Sequence, residues 1–291
     1  MINKLLVFTV LVVISLSGLF IYQTAKFNDG KFHLIFCDVG QGDAILIRTS
    51  AGGNILIDGG PNDSVLNCLS RHLPFWDKTL QTVLLTHPHA DHFTGLISVL
   101  KRYNLMSYDT ENLENQGFGA KILQDKLALK NLSATYLKKG DRLSDKANFS
   151  IEILWPSQEF IENYNKNLSK NDSELDLNGF SLISLVTYGN FKALLTADAA
   201  SAVDEKAGER AGSVDVLEVP HHGSKTGLSQ NLIDQVRPKL AIISVGKNNR
   251  YGHPSLEALN LLKTNGIKFL RTDEKGDLEI IADGKSWWVA N

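Results

Sequence analysis

The run Thr86-His87-Pro88-His89-Ala90-Asp91-His92 places three of the chain's eight histidines and one carboxylate within six residues. It follows an apolar strand and precedes an expected helix, on a turn that can aim all four side chains to one side. Imidazole and carboxylate ligands suit zinc or a similar divalent ion. A single tetrahedral ion would hardly use all four, so the spacing predicts two ions, and two ions need a bridge. Asp198 is the candidate, at the end of Leu194-Leu195-Thr196, since a carboxylate can place one oxygen on each ion. Its plainer reading is a helix cap. A further strand end carries Pro220-His221-His222-Gly223-Ser224. There a ring nitrogen can complete the second site, and Gly223 lets backbone approach a substrate oxyanion; which of His221 and His222 ligates stays open.

Strands must end where these residues stand. Expected strands cover Phe32–Val39, Ala44–Thr49 and Asn54–Ile57, then Thr82–Leu85, Phe149–Leu154, Ser181–Thr187, Phe191–Leu195, Val214–Val219, Ala241–Val245 and Lys268–Arg271. Amphipathic stretches predict helices at 62–73, 94–102, 120–130, 228–236 and 255–262. The polar segment 159–178 reads as a surface insertion, and a terminal hairpin is expected around Asp283-Gly284. Strands leading into helices twice over indicate two sheets with helices outside. With 291 residues, 43% apolar and 21% charged, the chain can bury a large core, which excludes a disordered or collagen-like class. A formal charge of −2 excludes a histone-type electrostatic binder, leaving only a local basic patch to hold phosphates. Cys37 and Cys68 are too few for a disulfide scaffold and are read as buried free thiols, with a single bridge as the alternative outside the cytoplasm.

Residues Leu5 to Tyr22 carry no charge. At about 1.5 Å per residue the uncharged run spans roughly 30 Å, a hydrocarbon core's thickness. The exit Tyr22-Gln23-Thr24-Ala25 lacks a small residue three before the cleavage point, which favours an uncleaved anchor over a signal peptide. The expected organisation is a membrane anchor at 1–26 and one globular domain at 31–291, on a single-pass cell-membrane protein with its body outside the cytoplasm.

His87, His89, Asp91, His92, Asp198 and His222, with Asp58 in Ile57-Asp58-Gly59-Gly60, resemble the motif series of the metallo-β-lactamase superfamily. Three further segments resemble the C-terminal hydrolase domain of the ComEC family of DNA-uptake proteins: Asp38-Val39-Gly40-Gln41-Gly42-Asp43, His221-His222-Gly223-Ser224, and the stretch from Val245 through Asn248-Asn249-Arg250-Tyr251-Gly252-His253 to Pro254. The resemblance implies an α/β fold, an αββα sandwich with a metal cleft at one edge, holding two divalent metal ions, Zn or Mn. By position, His87, His89 and Asp198 would hold the first ion, and Asp91, His92, His222 and Asp198 the second. The superfamily's third histidine before the bridging aspartate is missing, and Asn178 stands roughly in its place. The many-helix channel of the competence proteins is also missing, so DNA translocation does not carry over.

The chemistry so implied is hydrolysis by a metal-bridging hydroxide that Asp91 is expected to orient. Ser224, Lys225, Lys247, Asn249, Arg250 and His253 are the expected substrate-binding set, with Arg250 and His253 also assisting catalysis on a phosphodiester substrate, DNA among the candidates. Asp38 and Asp43 are expected to order the loop beneath the metals or orient ligand histidines. Two other classes compete: a metallo-hydrolase of another ester, lactone or amide, and a non-catalytic membrane-tethered binding protein. Complete ligands at Asp91, His92 and Asp198 count against the latter.

Overall fold

The computed structural model describes residues 4–112, 118–167 and 177–290. A long apolar helix, α1 (Lys4–Phe27), leads into an antiparallel meander of β1 (Phe32–Phe36), β2 (Ile45–Arg48) and β3 (Asn54–Ile57). Parallel strands extend it: α2 (Ser64–His72), β4 (Thr79–Leu85), α3 (Ala90–Arg102), β5 (Asn104–Thr110), α4 (Phe118–Leu129) and β6 (Ala134–Tyr136). The second sheet takes β7 (Arg142–Ser144), β8 (Phe149–Trp155), then α5 (Gln158–Asn167), β9 (Ile183–Tyr188) and β10 (Phe191–Leu195). It continues in parallel through α6 (Ser201–Ala211), β11 (Val216–Glu218), α7 (Gln230–Val236), β12 (Leu240–Ile243), α8 (Leu256–Thr264) and β13 (Lys268–Arg271). After a short helix, α9 (Thr272–Lys275), β14 (Leu278–Ala282) and β15 (Trp287–Val289) return to the first sheet, where β14 pairs with β1.

The strand period of two separates the layers. Phe32, Leu34 and Phe36 of β1 face the second sheet, meeting Ile151, Val186, Ala193 and Ile242 in a central core. Ile35, between them, points the other way and packs with Val65, Leu69, Leu96 and Val99 of α2 and α3. On the far side Leu194, Leu217 and Ala241 meet Leu232, Val236 and Leu262 of α7 and α8. The result is an αββα sandwich, as the resemblance implied. Strands buried on both faces need near-continuous apolar runs, which Ile45-Leu46-Ile47 supplies.

Three expectations are corrected. Helix α3 begins at Ala90 rather than at Thr94, so Asp91 and His92 lie on its first turn; those two polar positions carry no apolar periodicity to announce it. The polar segment from 159 opens as helix α5, where Ile161 is buried and the Phe160 ring packs at a tilt against Trp155 and Phe180; residues 168–176 lie outside the described residues. The cysteines are not free thiols: Cys37, just after β1, and Cys68, on α2, form a disulfide beneath the outer helices. Thirty-one residues of sequence separate them, but α2 lies directly on the face of β1.

Candidate metal centre

The site gathers at the carboxyl ends of strands from both sheets, where an α/β sheet places its ligand crevice. His87, His89, Asp91 and His92 follow β4, Asp198 follows β10, and His221 and His222 follow β11. Four non-glycine residues in these turns hold left-handed backbone: Asp58 (φ 57°), Ala197 (47°), His221 (50°) and His222 (56°). Each costs about 1–3 kcal/mol, strain that persists where the surrounding fold fixes a functional geometry.

Outer hydrogen bonds turn the rings. The Ser244 carbonyl can only accept, so His222 Nδ1, 3.0 Å away, carries its proton and leaves Nε2 free. His92 Nδ1 donates to Asp58 Oδ2 at 2.8 Å. Thr86 Oγ1 donates to the same carboxylate at 2.6 Å and so accepts from His87 Nδ1 at 3.1 Å. All three Nε2 atoms then face Asp198. Its Oδ1 lies 3.3 Å from His222 Nε2, and its Oδ2 lies 3.4 Å from His92 Nε2, 3.7 Å from His221 Nε2 and 3.9 Å from His87 Nε2. His87 Nε2 and His89 Nδ1 are 3.1 Å apart. Ligands sharing an ion with arms of about 2.0–2.1 Å stand roughly 3.3 Å apart, so this spacing fits a divalent metal. His92 Nε2, His222 Nε2 and Asp198 Oδ1 are moreover buried without a hydrogen-bond partner, the state of donor atoms meant for an ion.

Two ligand sets result. His87, His89 and Asp198 form one. His92, His222 and Asp198, with Asp43, form the other, and Asp91 stands beside it with Oδ2 3.7 Å from His222 Nε2. His221 Nε2 also lies 3.7 Å from Asp198 Oδ2, so the structure leaves both His221 and His222 within reach of this carboxylate. Asp198 lies three residues before α6, whose amino terminus it does not cap, so the helix-cap reading fails. Asn178 lies on a short turn, Leu177–Phe180, and Leu182 just beyond donates its backbone N–H to the Thr86 carbonyl, so this segment runs against the ligand loop.

The charges follow from this crowding. Burial opposes ionisation of Asp198, but His222 and His92 outweigh it and hold the carboxyl well below its usual range. Burial opposes a charge on His222, yet Asp198 and Asp43 push it up to about 10; His92 is likewise raised, against burial, by Asp198 and Asp58. Burial holds His87 well below its ordinary value, aided by the neighbouring His92. Asp91 is lowered to about 2, where the neighbouring His222 and the charge of His92 overcome burial.

A metal must displace the protons of His222 and His92, so binding releases them and affinity falls as pH falls. Below the raised His222 value, each proton released weakens affinity by about tenfold per pH unit. Calorimetric titration with Zn²⁺ or Mn²⁺ between pH 6 and pH 8, in buffers of differing ionisation enthalpy, measures both slope and proton count. An affinity flat with pH would mean that these rings do not ligate.

Residues behind the ligands complete the centre. Asp43 approaches the Nδ1 atoms of His222 and His92 at 3.6 and 3.9 Å, on the side away from Asp198, as expected of an orienting group. Asp38 instead receives Gly40 N–H and donates its own N–H to Asp277, so it shapes the loop and stays clear of the ligands. Gly42, at φ 142°, leaves no room for a side chain: a Cβ there would sit 2.2 Å from the Asp91 carbonyl oxygen. Gly42→Ala is expected to displace Asp91 and weaken metal binding by about 10- to 100-fold, the usual worth of an outer-shell support; metal titration of the folded variant checks it. Sequence reasoning missed Glu218, whose Oε2 accepts from Thr196 N–H at 2.9 Å and Ala197 N–H at 3.1 Å and so holds the turn that presents Asp198. Burial and Asp43 push its carboxyl up to about 8. A carboxylate inside the apolar run Val216-Leu217-Glu218-Val219 was its signal.

The expected basic set is not assembled. Lys225 pairs with Glu257 at 3.1 Å, Lys247 is exposed, and Arg250 is fully exposed with its guanidinium over the Tyr251 ring and bonded to Tyr251 Oη. Asn249 uses its amide within the loop, accepting from Tyr251 and His253 N–H and donating to the Gly246 and His253 carbonyls. Ser224 is buried behind His221. His253 does join the site, its ring 5.9 Å from that of His221 and 6.4 Å from that of His222.

Residues 37–117 match the model of the metallo-beta-lactamase superfamily. Over these residues the chain is similar to that superfamily, and its fold is the metallo-beta-lactamase fold. It is 30% identical over 286 residues to ComE operon protein 3 of Bacillus subtilis, covering 90% of this chain and 34% of that protein. It is 28% identical to competence protein ComA of Neisseria gonorrhoeae, covering 92% of this chain and 35% of the relative. Both are competence proteins of the ComEC family. The chain spans about a third of the length of these relatives. Among solved structures, the metallo-beta-lactamase fold protein YhfI of Bacillus subtilis superposes with a TM-score of 0.51 at 14% identity, over 88% of this chain and 99% of that one, a likeness of fold.

Proposed function

We propose that this metallo-β-lactamase-fold protein is a membrane-anchored hydrolase that binds two divalent ions and cleaves phosphodiesters, DNA among them. The observation that carries the reading is Asp198, which belongs to both ligand groups: Oδ1 lies 3.3 Å from His222 Nε2, and Oδ2 lies 3.4 Å from His92 Nε2 and 3.9 Å from His87 Nε2, so two ions can share this carboxylate. Bound there, a pair of divalent ions supplies an acidified water and polarises the electrophile's oxygens. The chain's own residues then divide the remaining work. Asp91, ionised down to about pH 2, is a poor proton acceptor near neutrality, so it holds and orients rather than acting as general base. His253 is held below its usual value by burial and by His222, and so is largely neutral at pH 7. Gln41 Nε2 donates to its Nδ1 at 3.4 Å, which leaves the proton on Nε2, able to donate to a substrate or leaving-group oxygen.

Anchoring is supported by α1, whose 24 residues run about 36 Å, enough for a hydrocarbon core of roughly 30 Å. Its apolar window, with mean hydropathy 2.6, is unburied by the rest of the chain. The disulfide favours a body outside the reducing cytoplasm. The phosphodiester reading draws on the competence-protein relatives and on two exposed cations, Lys247 and Arg250, in the loop that carries His253.

The test is the whole chain in detergent or nanodiscs, assayed with single- and double-stranded DNA, a bis-phosphodiester and a lactam, each with Mn²⁺ or Zn²⁺. Metal-dependent phosphodiester cleavage is expected, and cleavage of the lactam alone would replace this reading by that of another metallo-hydrolase. Arg250→Ala is expected to lower kcat/KM roughly tenfold on phosphodiesters with metal content unchanged. Equal losses on a neutral ester would make Arg250 a loop support.

A further inference from the structure

The end of α1 is fastened to the body along one face. Phe20, Gln23, Thr24 and Phe27 follow the spacing of a single helical stripe, and the last three are partly covered while their neighbours are exposed. Arg48 donates to the Phe27 carbonyl and lies over its ring. Gln23 Oε1 accepts the backbone N–H of Phe75 at 3.0 Å, and Phe20 meets Trp76 with ring centroids 4.7 Å apart.

The loop that makes these contacts, Pro74 to Asp77, is an aromatic tip. Phe75 and Trp76 pack edge to face at 4.9 Å yet remain 56% and 39% exposed, which is unusual for two large rings side by side. Its base is rigid: Asp77 N–H donates to the Pro74 carbonyl, and Asp77 Oδ2 accepts from Asn54 at 2.8 Å. The level of the tip follows from helix geometry. Phe20 precedes Lys26, the first charge after Lys4, by six residues, or about 9 Å along the axis. With Lys26 at the headgroups, a ring stacked on Phe20 lies at the boundary between headgroups and acyl chains. That zone favours Trp and Tyr, and the exposed Tyr22 stands about 3 Å nearer Lys26 along the axis.

We propose that the Phe75–Trp76 tip is a second membrane contact: the rings rest in the bilayer's interfacial zone beside α1 and hold the hydrolase body against the membrane in one orientation. The proposal rests on the anchored reading of α1, and its occupant is lipid, because the tip continues the surface of a helix already long enough to span.

The whole chain is placed in phosphatidylcholine–phosphatidylglycerol vesicles with lipids brominated at shallow or deep acyl positions, and tryptophan quenching is compared between wild type and Trp76→Phe. The variant keeps an aromatic ring at the contact and so preserves the fold. Expected is stronger quenching by the shallow bromines, with that quenched component missing in Trp76→Phe. Equal quenching of the two proteins, when both float with the vesicles, overturns the tip contact and leaves the anchor standing. Failure to float overturns the anchor and the contact with it. A Phe75→Ala/Trp76→Ala variant should still float but be cut faster by trypsin at Lys31, since the body is freer; an unchanged rate also counts against the proposal.

Discussion

Asp198→Ala is expected to abolish turnover and to reduce bound metal from two ions to one or none while the sandwich stays folded. Among the described residues Asp198 is the carboxylate common to both ligand sets, 3.3 Å from His222 Nε2 and 3.4 Å from His92 Nε2 in one and 3.9 Å from His87 Nε2 in the other. Loss of an outer-shell partner alone weakens a metal about 10- to 100-fold, and losing a shared ligand must exceed that for both ions. The charge matters as well as the shape. Asp198 raises both His92 and His222, so its removal leaves two buried rings with less reason to hold either a proton or a metal. Asp198→Asn, which keeps the shape and removes the charge, should lose metal almost as completely. Elemental analysis and circular dichroism on the two variants decide it. Two full equivalents of metal in folded Asp198→Ala would dismiss the bridge.

The part of this centre legible in sequence was the part that burial could not explain. Histidines and carboxylates at the ends of apolar strands have no structural reason to cluster, so His87, His89, Asp91, His92, Asp198 and His222 announced themselves. Among their supports Asp58 and Asp43 stood out as motif residues, but the partner of each did not. Asp58 reaches His92 across 34 residues, and Ser244 reaches His222 across 22, contacts that exist only once β3, β4 and β12 lie in register. Charge was visible at Lys225 and Arg250, but direction was not: one side chain turned to Glu257 and the other to Tyr251. Short half-exposed strands such as β6 and β7 lack the apolar run that marked β1 to β4. Position in sequence likewise hid the disulfide, because only the packing of α2 on β1 brings its halves together.

That disulfide carries the largest expected effect on stability. Cys37→Ser/Cys68→Ser should lower the unfolding free energy by about 3–4 kcal/mol, the chain-entropy value for closing a loop of the 31 residues that separate the two positions. Both cysteines are buried, so the serine hydroxyls add a desolvation cost of their own. Metal binding should respond much less. Although Cys37 opens the arc that ends at Asp43, the arc is fastened independently at its far end, where Gly60 N–H donates to the Asp43 carbonyl at 2.8 Å and Gln41 Oε1 accepts from Gly246 N–H at 3.2 Å. Urea unfolding and metal titration, run on the variant and on wild type before and after reduction, separate the two effects. An unchanged urea midpoint, with two free thiols found by alkylation of wild type taken from cells, would remove both the bridge and the support it lends to a body outside the cytoplasm. A parallel fall in metal affinity would instead make the bridge a positioning element for Asp43, coupling the redox state of the compartment to the rings of His92 and His222.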